Sequence, residues 1–79
     1  MNGISTFNIL FTDITMIKDF INMVSKMSCD MDLVSGNRKY IVDAKSIMGI
    51  LSLDLSVPVV LRMYSDAPED VAKINEFLD

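Results

Sequence analysis

Phe7, Ile9 and Phe11 fall on alternate positions around Asn8 and Leu10, the period-two pattern of a strand with one face turned to a core. This predicts a first strand from Ile4 to Phe11. Ile14, Ile17, Phe20, Ile21 and Val24 then recur at helical spacing, while Lys18, Asn22, Ser25 and Lys26 fall opposite them. An amphipathic helix follows, from about Asp13 to Met27, with Thr12 and Asp13 as candidate N-caps. Its methionines Met16, Met23 and Met27 are expected to fill or flank the core.

Alternation resumes at Cys29, Met31 and Leu33, whose partners Ser28, Asp30 and Asp32 face outward as a solvated acidic edge. Ser35-Gly36-Asn37 supplies turn residues, since Gly and Asn accept positive φ, and Tyr40, Val42 and Ala44 then alternate with Lys39, Ile41 and Asp43 on a third strand that completes a β-hairpin. A short apolar run, Ile47 to Leu53, starts behind Ser46 and reads as a capped helix. After the connection Asp54-Leu55-Ser56, Pro58 opens a fourth strand that turns Val59, Leu61 and Met63 one way and Val60, Arg62 and Tyr64 the other. The last helix begins in Ser65-Asp66-Ala67-Pro68-Glu69, with Asp66 as its expected cap and Glu69 reaching back, and buries Val71, Ile74 and Leu78. The order β-α-β-β-α-β-α predicts an α+β fold: an open-faced two-layer sandwich, with a four-stranded antiparallel sheet and its helices on one face.

Composition narrows the function classes. Seventy-nine residues hold one core, so residues 1–79 are read as a single domain. Cys29 is the one cysteine and there is no histidine, which removes an intramolecular disulfide and a His/Cys metal cluster. Asp30 and Asp32 stand two apart on a strand with no third suitable ligand beside them, so no metal and no cofactor is expected. A net charge of −4 with scattered Lys and Arg argues against direct nucleic-acid binding. No apolar run reaches membrane-spanning length, and Met1 to Ser5 lacks the basic start of a signal peptide, which together predict a cytoplasmic protein. An apolar fraction of 51% with seven methionines leaves apolar side chains over for a contact surface.

The segment Lys45-Ser46-Ile47-Met48-Gly49-Ile50-Leu51-Ser52-Leu53, together with the element order, resembles HPr, the small phosphocarrier family of the bacterial sugar phosphotransferase system. In that family a phosphorylatable histidine opens the first helix, with an arginine and a proline close behind it. Counting back from Ser25-Lys26 places Asp13 at the histidine position, Thr15 at the arginine and Met16 at the proline. The resemblance therefore implies a non-enzymatic paralogue without ordinary phosphocarrier chemistry, similar to the catabolite repression HPr of bacilli. It further implies that Ser46 is a regulatory phosphorylation site for HPr kinase/phosphorylase, and that Ile47, Met48 and Leu51 form an exposed patch for a LacI-type regulator. The arginine that helps engage the phosphoserine in the family is replaced by Thr15.

Each of these residues also has a plainer reading. Ser46 serves equally as a helix cap, and Ile47, Met48 and Leu51 as core. Asp13 is an ordinary N-cap, a fixed negative charge imitating a phosphorylated histidine, or a phosphoryl acceptor in its own right. Two functional alternatives stand beside regulation: a diverged interaction module that uses neither phosphorylation, and a phosphoryl carrier working through Asp13.

Overall fold

The computed structural model describes residues 3–79; the reading of the extreme N-terminus falls partly on Met1 and Asn2, which lie outside them. Seven elements follow in the order expected: β1 (Ser5–Ile9), α1 (Ile14–Val24), β2 (Met31–Val34), β3 (Ile41–Asp43), α2 (Ile47–Leu51), β4 (Val59–Met63) and α3 (Pro68–Leu78). The four strands form one antiparallel sheet in the order β1-β4-β2-β3. Register is set by alternation, because a one-residue slip would carry every apolar side chain to the solvent face. Leu61 accordingly stands opposite both Phe7 on β1 and Leu33 on β2, all three on the inner side.

The helices cover that inner face. Ile17, Phe20 and Val24 of α1, Ile50 of α2 and Ile74 of α3 join Ile9, Leu33, Val59, Leu61 and Met63 in one buried cluster. Phe20 sits at its middle, edge-on to Phe11 at 5.3 Å between ring centroids and tilted against Phe77 at 5.7 Å. Such aromatic contacts add to the gain from burying the rings themselves. Met27 is buried, and Met16 and Met23 pack against the cluster's margin.

Four local expectations need correction. Neither Gly36 nor Asn37 takes positive φ; Arg38 does, at 62°, as the last residue of the turn that its N–H closes on Ser35 O (2.8 Å). Tyr40 is 62% exposed and lies outside the third strand, since it belongs to that turn and β3 begins only at Ile41. The N-cap of the last helix is Ala67, not Asp66, and it makes no side-chain capping bond: Ser65 Oγ accepts from Ala67 N–H (3.2 Å) and donates to Asp70 Oδ2 (2.7 Å), bracing the turn before the helix in place of the expected capping box. Asp32, finally, is not simply solvated. It is half-buried and ion-paired to Arg62, its neighbour across the β2–β4 register.

Candidate functional site

The sequence directs attention to two helix starts. At α1, Asp13 is the N-cap, its Oδ1 accepting from Met16 N–H at 2.8 Å. Thr12, the other candidate, instead directs its hydroxyl to Met16 Sδ at 3.7 Å. Thr15 is exposed and Met16 half-buried. Among the described residues no group of three His, Cys, Asp or Glu side chains is placed to hold a metal ion.

At α2, Ser46 is the N-cap, and its Oγ accepts from Gly49 N–H at 3.1 Å. Extended backbone at Ser46 (φ −108°, ψ 114°) lets its carbonyl receive Ile50 N–H at 3.0 Å and start the helix. Gly49 permits close seating of the helix: a Cβ there would lie 3.0 Å from Val42 Cβ on β3. Lys45 ties this start to the rest of the fold, its Nζ donating to Met27 O at 2.7 Å just beyond the end of α1.

Close seating divides the apolar run. Ile50 and Leu53 turn inward and are buried, while Ile47, Met48 and Leu51 are 37%, 77% and 50% exposed. Three of the four side chains of α2 thus project apolar surface into solvent, which excludes the reading of that trio as core. A single exposed aliphatic residue is ordinary on a protein surface, whereas three on one helical turn and a half form a patch. Leu51 also borders a shallow hollow shared with Asp13, Ile14 and Leu55, so the C-terminal end of α2 meets the start of α1 at one edge of this surface. Ser46, Ile47 and Met48 lie outside that hollow's lining.

A third cluster was missed in the sequence. On the open sheet face Arg62 Nε and Nη2 donate to the two carboxylate oxygens of Asp32 at 2.6 and 2.9 Å, and Tyr64 Oη donates to Asp32 Oδ2 at 2.8 Å. Partial burial pushes the Asp32 carboxyl up, but the hydrogen bonds from Arg62 and Tyr64 and the guanidinium charge outweigh it and hold the carboxyl below its usual range. The same bond to Asp32 raises the Tyr64 phenol, which must stay protonated to donate. The available signal was the outward alternation of Arg62 and Tyr64 on one strand and Asp32 on another, two strands that pair. Cys29 is half-buried, and burial pushes its thiol up, away from the reactive thiolate form.

Comparison with known proteins found no matching family model, no matching curated protein and no matching solved structure.

Proposed function

We propose that this chain is an HPr-like regulatory domain acting by protein–protein contact rather than catalysis, with α2 as its contact surface and Ser46 as the residue that switches it. The observation that carries the reading is the side-by-side placement of Ser46 and the exposed Ile47, Met48 and Leu51 on one short helix. A phosphate on Ser46 would add about 1.5 to 2 negative charges and several acceptor oxygens beside an apolar anchor, a combination suited to a partner's arginine and an adjoining apolar pocket. Support also comes from the β-α-β-β-α-β-α order and from the resemblance of Lys45 to Leu53 to the family's regulatory segment.

Asp13 belongs to this proposal as a structural cap. Its carboxylate is committed to Met16 N–H, and the chain has no imidazole to receive a phosphoryl group. The partners are HPr kinase/phosphorylase and a LacI-type regulator in the cytoplasm; no direct contact with nucleic acid and no membrane partner is proposed. Among the described residues no helix is long and apolar enough to cross a membrane.

The test is phosphorylation with HPr kinase/phosphorylase and ATP, followed by capture of a LacI-type regulator. One phosphate is expected on the wild-type chain, none on Ser46→Ala, and loss of regulator capture on Ile47→Glu. Phosphate at another residue, or none at all, overturns the switch; capture indifferent to Ile47→Glu overturns the surface.

A further inference from the structure

The sheet face opposite the helices bears a second surface, independent of α2. Val34, Ile41 and Val60 form an apolar floor across β3, β2 and β4, in adjacent register positions. Arg38 and Arg62, the only two arginines in the chain, line the same shallow hollow. This convergence is not a property of composition: the sequence separates them by 24 positions and the chain as a whole is acidic, at −4. Thr6 and Asn8 of β1 complete the rim with neutral polar groups.

The two guanidinium groups are held differently. Arg62 is fixed by Asp32 through Nε and Nη2, which leaves Nη1 without a protein partner among the described residues. Arg38 is exposed and takes part in no ion pair among the described residues. It occupies the left-handed region at φ 62°, where a residue with a Cβ is disfavoured and glycine or asparagine is the ordinary occupant. The turn around it is braced: Asn37 Oδ1 accepts from Ser35 Oγ (2.7 Å) and from Lys39 N–H (3.0 Å), and Ser35 Oγ accepts from Tyr40 N–H (3.1 Å). The left-handed residue of this braced turn is thus a cation at the rim of the hollow.

We infer that this face docks an acidic, apolar-bearing segment of a protein partner. Its carboxylates meet Arg38 and Nη1 of Arg62, and its apolar side chains lie on Val34, Ile41 and Val60. Guanidinium groups suit carboxylates through paired N–H donors, and the apolar floor supplies area that a charge contact lacks. The shallow form of the hollow fits a peptide surface better than a small molecule, which binds in sites that enclose most of it. A nucleic acid is disfavoured, because two guanidinium groups, one of them already paired to Asp32, fall short of the concentrated basic face that a run of phosphates needs.

The experiment is a titration of the ¹⁵N-labelled chain with an acetylated, amidated hexapeptide of alternating leucine and glutamate, followed by amide shifts. The shifts are expected to centre on Val34, Arg38, Ile41, Val60 and Arg62, to spare α2, and to shrink with added salt. Arg38→Gly is expected to weaken binding by about ten-fold, the loss of one charge-assisted pair, with no fall in melting temperature because glycine fits the left-handed turn. Unchanged affinity in Arg38→Gly, shifts centred on α2, or no shifts overturn the inference. So does equal binding of inorganic phosphate or a single-stranded oligonucleotide, which would make the face a phosphate reader. Concentration-dependent shifts of the same residues without peptide also overturn it, by making a second copy the occupant.

Discussion

Replacing Ser46 by alanine removes the hydroxyl that accepts from Gly49 N–H at 3.1 Å and leaves that donor without its partner. Loss of a serine cap costs about 1 kcal/mol, within a range of about 0.5 to 2 kcal/mol. A chain of this length has a total stability of about 4 to 12 kcal/mol at the usual stability per residue, so Ser46→Ala remains folded. The same loss lowers the melting temperature by about 4 to 8 °C for each kcal/mol in a domain of this size. Ser46→Asp behaves differently, since its carboxylate can accept the same bond and is favoured by the positive end of the helix. The assay is thermal unfolding followed by circular dichroism at neutral pH and low salt, with all three proteins scanned together. Wild type and Ser46→Asp are expected to melt close together, with Ser46→Ala below both. Should Ser46→Ala melt with the wild type, or Ser46→Asp fall as far as Ser46→Ala, then the hydroxyl does not hold α2. The order of the three also guards the phosphorylation test, because it separates loss of the acceptor from loss of the helix presenting it.

Two further outcomes follow from the core and the open face. Phe20→Ala empties a fully buried site between Phe11 and Phe77, and at about 3 to 5 kcal/mol it removes a large share of the stability, read as a collapse of the urea midpoint; Phe20→Leu loses less. Asp32→Asn acts through pH. Because the folded carboxyl lies below its unfolded value, its contribution is complete above the ordinary carboxylate range and disappears as pH falls through the lowered folded value. Urea titrations of wild type and Asp32→Asn are therefore expected to differ most at neutral pH and to converge in strong acid. A gap that stays constant into acid would show that the Asp32 charge is not what the fold uses. The raised Tyr64 phenol works in the opposite direction: its contribution is complete below the ordinary tyrosine range and is lost as pH rises through the folded value.

The strands were legible because burial imposes a two-residue period that survives in the sequence. Phe7 and Ile9, and Val59, Leu61 and Met63, turn inward as their alternation predicts. The caps at Asp13 and Ser46 were legible for a related reason, since each satisfies backbone groups within three residues of itself. Features that depend on register were not. Asp32 and Arg62 stand 30 residues apart in sequence, and only the pairing of β2 with β4 brings them together. Arg38 and Arg62 converge for the same reason, across a turn whose left-handed residue is an arginine where the sequence offers a nearby glycine. At the last helix the start was recognised but falls one residue later, at Ala67, because Ser65 bonds to Ala67 N–H and to Asp70 instead, a choice that local spacing does not make. The outward turn of Ile47, Met48 and Leu51 is likewise decided by how closely Gly49 lets α2 approach Val42.

The strand order has a consequence for the way the chain assembles. β4 is the last strand to be made, yet it lies between β1 and β2 and is the only strand to which β1 pairs. Ile9 stands opposite Val59 and Ser5 opposite Met63, so the first strand has no strand partner until residues 59 to 63 are in place, while β2 and β3 can pair locally much earlier. Closing so long a loop is entropically unfavourable and slows folding relative to a fold built from neighbouring pieces. During synthesis, the hydrogen-bonding edge of β1 stays without its strand partner until the central strand arrives, and β4 then joins the first strand to the β2–β3 hairpin.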